Sequence, residues 1–248
     1  MELSVLGYPD QALERMQQAL SLARQLGHPY SRAFALSYAL VLYQYRQEAP
    51  TVLPLAEESI VLCAKQGFPT WEAWGKVLRG WGMAVQGEGE QGSTQIHQGL
   101  TAWLATGAET LHAYFLGLLA DAYRKVGQCR EGVHAVDEAL IVVNRVEERN
   151  YEAELYRLKG ALLLQLSSDN QAEAETCFHQ AIVIAQNQQA KSLELRTATS
   201  LARLWQQQGK RQEAYDLLAP VYHWFTEGFD TADLKDAKAL LHALEDGR

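Results

Sequence analysis

The chain has 248 residues, 48% of them hydrophobic, 9% aromatic and 21% charged, which is too apolar for a disordered tail and enough to bury one sizeable core or a series of small stacked ones. Its 30 acidic side chains outweigh 22 basic ones, for a net charge of −8; this disfavours sequence-independent binding to nucleic acid or to an anionic membrane and steers a basic partner toward the chain. The uncharged stretch Ala33 to Tyr45 is shorter than the roughly 18–20 apolar residues a membrane span needs, and Met1-Glu2-Leu3 lacks a basic leader region, so a cytoplasmic, soluble chain is expected.

A fixed spacing runs through the sequence. Ala12 is followed seven and eight positions later by Ala19 and Leu20, and the frame recurs at Val52 with Ser59-Ile60, Gly92 with Gly99-Leu100 and Gly132 with Ala139-Leu140. After two extra residues in the turn Leu166 to Asn170, it continues at Ala174 with Ala181-Ile182 and at Ala214 with Val221-Tyr222. Small residues at i and i+7 share one helix face and let a neighbouring helix come close. Gly7, Gly87, Gly127 and Gly209 each stand five residues before the frame, with Gln47 in the second copy; glycine there predicts a left-handed helix cap. Upstream lie apolar helical runs such as Tyr114 to Tyr123 and Arg196 to Trp205. Each copy is thus helix, tight turn, helix, and no stretch alternates as a strand would.

In chain order the copies are assigned to residues 1–28, 29–68, 69–108, 109–148, 149–190 and 191–228, with a cap over 229–248, as a single all-α domain. The first copy lacks its first helix. Pro9, Pro29, Pro50 and Pro69 fall at helix junctions, and Pro54 suits a first helical turn. Pro220 falls inside the last copy's second helix and predicts a kink or break near Leu218. Thr231 is placed to N-cap the final helix, with Asp233 in its first turn.

The frame resembles the tetratricopeptide repeat (TPR), in which a small residue and an aromatic mark the first helix and two small residues mark the second. Copy four carries Ala120, Tyr123, Gly127, Gly132 and Ala139 at that motif's spacing; copy six carries Ala202, Trp205, Gly209 and Ala214, with Val221 where a small residue is usual. Copy three has Gly80 but Met83 in the aromatic place, and copy two has Leu40 and Tyr43. The forty-residue period exceeds the basic unit of about 34, so the resemblance implies the long-repeat type found in sensor arms of bacterial signalling ATPases and transcription regulators. The run Trp224 to Leu241 resembles the segment that ends the TPR region of bacterial multidomain adenylate/guanylate cyclase–signalling ATPase proteins, which implies linked ATPase and cyclase domains in a parent protein. The fold implied is an α-solenoid of about six repeats with a C-terminal capping helix.

No catalytic constellation stands out, and a non-enzyme is expected. Gly87-Glu88-Gly89-Glu90-Gln91-Gly92 spells a dinucleotide fingerprint, but it joins two helices rather than a strand and a helix, and its glutamates would repel a pyrophosphate. His134 with Glu138, and Cys177 with His179, supply two ligands each where a metal site needs three or four. Cys63, Cys129 and Cys177 are odd in number and far apart, so neither a disulfide framework, a metal nor a cofactor is expected.

In TPR arrays the first helices line a concave groove, and carrying the frame across places Phe34, Tyr45, Trp74, Trp81 and Tyr114 toward one end. Asp121, Arg124, Glu154, Arg157, Arg196 and Arg203 fall toward the other. Arginines hold carboxylates bidentately and aromatics give contact area at low entropic cost, so the expected ligand is a protein or peptide, acidic or presenting a C-terminal carboxylate. The bland alternatives are that the tryptophans are core and that Arg124 pairs with Asp121 one turn away. A small-molecule sensor is the second functional reading, and a homodimer through the open end of copy one is the third.

Overall fold

The computed structural model describes residues 2–245; Met1 and residues 246–248, at the outer ends of the first copy and the cap, lie outside them. Every regular element among the described residues is helical: α1 (Glu2–Val5), α2 (Pro9–Leu26), α3 (Pro29–Tyr45), α4 (Ala49–Gln66), α5 (Pro69–Val85), α6 (Gly89–Ala105) and α7 (His112–Lys125) come first. They are followed by α8 (Cys129–Val146), α9 (Glu152–Leu166), a 3-10 turn over Ser168–Asn170, α10 (Gln171–Asn187), α11 (Lys191–Gln207), α12 (Arg211–His223) and α13 (Ala232–Glu245). Each copy from the second to the sixth holds one antiparallel helix pair, and α13 is the cap.

The punctuation follows from the backbone. Left-handed residues recur every twenty positions, at Gly7, Gly27, Gln47, Gly67, Gly87, Gly107, Gly127 and Glu147, and then at Gln189, Gly209 and Gly228. Gln47 shows what the conformation does. Its N–H reaches the Gln44 carbonyl and the Glu48 N–H reaches that of Tyr43, both at 2.9 Å, so two otherwise orphaned carbonyls at the end of α3 are satisfied by one reversal of the chain. The fifth copy turns differently: Ser167 is extended at φ −160° and its hydroxyl accepts from Asp169 N–H, which starts the 3-10 turn and absorbs the two extra residues.

Two prolines depart from expectation. Pro54 lies inside α4, which begins at Ala49 and has Pro50 in its first turn. Pro220 lies inside α12, which runs without a break past Leu218 to His223. Proline at position i deprives the carbonyl at i−4 of its donor; here those carbonyls belong to Pro50 and Asp216, both exposed residues.

The helices form two compact units. The first comprises residues 11–149, where the frame residues do the packing that their size allows. Gly80 and Gly92 face each other across α5 and α6: a Cβ on Gly80 would stand 2.6 Å from the Gly92 carbonyl oxygen, and one on Gly92 2.5 Å from that of Gly80. Val52, Ser59 and Ala139 have no exposed surface. Ala19 is the exception: it is exposed, as are Leu22 and Leu26 on the same side of α2.

The second unit comprises residues 2–10 with 150–245. Its core gathers Ala198, Ala202, Ala214, Leu218, Leu234, Ala237, Leu241 and Leu244 from α11, α12 and α13, with Phe225 from the connection between the last two. Thr231 occupies the N-cap position of α13, since its carbonyl accepts from Lys235 N–H. Its hydroxyl, however, donates back to the Gly228 carbonyl at 2.7 Å instead of capping the helix.

Candidate functional site

In the first unit the expected groove residues sit at equivalent places on α3, α5 and α7, and most are interior. Trp81 has no exposed surface, Trp74 and Tyr114 have 3% and 4%, and Tyr45 is buried as well. The reason is reach between alternate repeats. Tyr114 Oη on α7 donates to Gln44 Oε1 on α3 at 3.1 Å, across seventy residues of sequence, and its ring stacks on Tyr45 with centroids 6.3 Å apart and planes at 4°. The space between these first helices is therefore filled by the side chains that were expected to line it. Trp81 Nε1 donates to Asp121 Oδ2 at 3.3 Å, and the other Asp121 oxygen takes Arg124 Nη2 at 2.8 Å and Nε at 3.1 Å. Arg124 thus pairs one turn away, as the bland alternative held.

Phe34 is different. It is 46% exposed, yet its ring is gripped by Tyr38 at 4.7 Å and by Trp71 edge-on at 5.6 Å. Tyr30, exposed beside it, meets Phe68 and Trp71 edge-to-face. Inward from these rings, Trp74 contacts Tyr38, Trp71, Trp103 and Phe115, so the exposed aromatics are the outer end of a packed series. Tyr30, Tyr38 and Trp71 were missed at the sequence level; the four-residue spacing Tyr30–Phe34–Tyr38 was the available signal, because it puts three rings on one helix face. An open hollow of about 510 Å³ lies on α4 between Arg32, Pro54, Glu57, Glu58, Val61 and Lys65, with Arg32 bound to Glu58 at 2.7 Å.

In the second unit the expected arginines each hold a carboxylate. Arg157 forms a two-pronged pair with Glu154, Nη2 to Oε1 at 2.7 Å and Nε to Oε2 at 2.8 Å. Arg196 lies between two acids: Nη2 meets Asp233 Oδ2 at 2.6 Å and Nη1 meets Glu154 Oε1 at 3.3 Å. Burial works against the Arg196 charge, but Asp233 and Glu154, with the hydrogen bond to Asp233 and nearby Tyr151, hold the guanidinium protonated well above its ordinary value. Asp233 is thus recruited by Arg196 as well as standing in the first turn of α13. Arg203 pairs with Asp236, and both side chains are nearly half exposed, so this surface pair is worth about 1 kcal/mol or less and is open to exchange with a ligand carboxylate.

Nothing among the described residues gathers three or more His, Cys, Asp or Glu side chains able to hold a metal ion, and no described helix is long and apolar enough to cross a membrane. The three cysteines are buried; burial raises the Cys63 and Cys129 thiols above their ordinary range, which keeps them protonated and unreactive.

No protein-family model matches the chain, nor does any curated protein sequence. Solved structures do. The nearly identical TPR-like repeats of a Podosopora anserina protein described as a kinesin light chain align over 87% of this chain and 97% of theirs, with 18% identity and a TM-score of 0.52. A variant of the same repeats aligns over 78% and 94%, with 20% identity and a TM-score of 0.53. The fold is a TPR-like α-solenoid. A third TPR-containing structure, the signal-transduction ATPase with numerous domains (STAND) and a tetratricopeptide-repeat sensor from Pyrococcus horikoshii, aligns over 97% of this chain, with 16% identity and a TM-score of 0.55. This TPR-like chain spans only 35% of that protein's length.

Proposed function

We propose that this chain is a non-catalytic scaffold that binds a protein or peptide, as the sensor or regulatory arm of a bacterial signalling protein. The repeat architecture supports this, because stacked helix pairs build extended surfaces rather than enclosed reaction chambers. The likeness to a STAND ATPase with a TPR sensor supports the signalling role; ATPase or cyclase domains linked to the chain in a parent protein are part of the same proposal.

The observation that carries the reading is Phe34, exposed to solvent yet packed against the rings of Tyr38 and Trp71. A ring packed in this way contributes contact area to a partner with little ordering entropy left to lose. In the second unit Arg203 is the expected groove arginine with the most exposed charge, and a peptide carboxylate would compete with Asp236 for it.

The test is capture of partners from native cell extract by the full chain and by Phe34→Ala and Arg203→Ala, each confirmed to melt as wild type does. Binding of the captured protein, remeasured with purified components, is expected to weaken about tenfold in Phe34→Ala, the loss of one well-packed contact. Equal affinity of the wild type and both variants would overturn this reading.

A further inference from the structure

The second unit includes Glu2–Asp10 from the start of the chain, the last two of which open α2, and directed contacts hold them. Ser192 on α11 donates its hydroxyl to the Ser4 carbonyl at 2.6 Å. Gly7 has φ +100° and lies so close to the Trp224 ring that a Cβ would stand 2.5 Å from Cζ3 and 3.0 Å from Lys191 Cβ. Tyr8 packs on the same ring at 5.8 Å between centroids, and the Lys191 ammonium lies over it at 5.6 Å. Asp10 closes the set: its N–H donates to Glu227 Oε1 at 3.0 Å, and its carboxylate accepts from Gly228 N–H at 2.9 Å. Pro9 fills the space beside Gly228 that a side chain there would need.

These are the elements of peptide recognition. Backbone groups are bonded at both ends, one position tolerates no side chain, an aromatic partner sits beside it, and a carboxylate meets an N–H donor. Ser4, Gly7 and Pro9 are buried, whereas Leu3, Val5, Leu6 and Tyr8 are only partly so, and α1 is a single turn. The segment is therefore seated like a bound ligand.

We propose that the surface formed by Lys191, Ser192, Trp224, Glu227 and Gly228 is a peptide-recognition site, occupied by the chain's own residues 4–10, that accepts from a partner protein a segment of the same chemistry. That segment carries glycine, an aromatic, proline and aspartate in this order. The chain's own copy is the competitor, present at the high local concentration that covalent attachment confers. This surface is separate from Phe34 and Arg203, so its failure and theirs are distinguishable.

The probe is a fluorescein-labelled peptide of residues Glu2–Asp10, titrated by anisotropy into the full chain. In the Gly7→Val chain the attached segment cannot seat, because valine both clashes with Trp224 and disfavours a positive φ. The peptide is expected to bind this chain saturably and to bind wild type at least about tenfold more weakly, since an attached competitor must first be displaced. The same peptide carrying Gly7→Val is expected to lose affinity by a similar factor, as is the wild-type peptide on a Gly7→Val/Trp224→Ala chain. Should Gly7→Val prove misfolded by circular dichroism, Tyr8→Ala, which removes one ring contact and leaves the backbone as it is, serves as the receptor. Absence of saturable binding to the folded variant, or equal affinity of the two peptides, would overturn the proposal.

Discussion

His112 opens α7 as a buried imidazole with neither ring nitrogen hydrogen-bonded among the described residues. It follows Leu111, a non-glycine residue at φ 63° whose N–H is held by Glu148 Oε2 at 2.7 Å. Burial lowers the His112 pKa; Glu138 and Glu109 pull it up and Arg145 pushes it down, but burial is the largest cause. A base depressed in the folded state leaves stability unaffected while it is neutral in both states and opposes folding once the unfolded state protonates first. Below the ordinary value of 6.5 the unfolded chain takes up a proton that the folded chain refuses, so stability drains away as pH falls through the interval between the two values. Wild type is expected to lose more stability than His112→Leu between about pH 7.5 and about pH 5.5, measured as the change in urea midpoint, because leucine has no proton to gain. Parallel profiles for the two proteins would show that the imidazole is not a source of acid sensitivity. Substitution offsets at neutral pH do not enter, since the readout is the difference in pH dependence.

The close crossing of α5 and α6 places two effects of known size in opposition. Alanine is favoured over glycine inside a helix by about 1 kcal/mol, yet at Gly92 the new methyl would meet the Gly80 carbonyl oxygen at 2.5 Å and the Ala84 nitrogen at 2.7 Å. Both are backbone atoms and neither can swing aside, so overpacking, at about 1–3 kcal/mol, is expected to win. Gly92→Ala should lower the denaturation free energy, while an unchanged or raised value would mean that the helices separate at little cost. This crossing was legible in the sequence because a missing side chain is a local fact with a fixed spacing. Helix ends were legible for the same reason, through Gly7, Gly87, Gly127 and Gly209. The filling of the groove was not, since it depends on α3 and α7 coming within reach so that Tyr114 meets Gln44. Nor was the occupancy of Arg196 and Arg203, whose partners Asp233 and Asp236 lie 37 and 33 residues onward in a helix read only as a cap. Pro54 and Pro220 show the opposite failure: a correct local penalty was overridden where the deprived carbonyl belongs to an exposed residue.

At the scale of the whole chain, sequence order and packing order part company. Residues 2–8 and the first two residues of α2, the rest of which lies in the first unit, belong to the second with residues 150–245. The forty-residue frame could not reveal this, because a repeat pattern specifies neighbours along the chain and says nothing of where a leftover turn will dock. Arg196 is the point at which to probe it. Its side chain is 9% exposed between Glu154 and Asp233, and Arg196→Ala leaves two acids facing a gap, with Glu154 still bound to Arg157 but Asp233 stripped of its partner in both hydrogen bonds and charge. Removing one partner from a buried ion pair costs about 3–5 kcal/mol, an amount that raises the population of openings confined to this unit without melting a stable chain outright. Hydrogen exchange followed peptide by peptide is therefore expected to quicken in α11 and α13 and, with them, at the Asp10 and Gly228 amides, which donate to Glu227 and to Asp10. Amides of α3 to α6 should keep their wild-type rates. If Arg196→Ala leaves the Asp10 and Gly228 amides as slow as in wild type while α11 and α13 open, the N-terminal segment does not unfold with the unit whose surface it occupies.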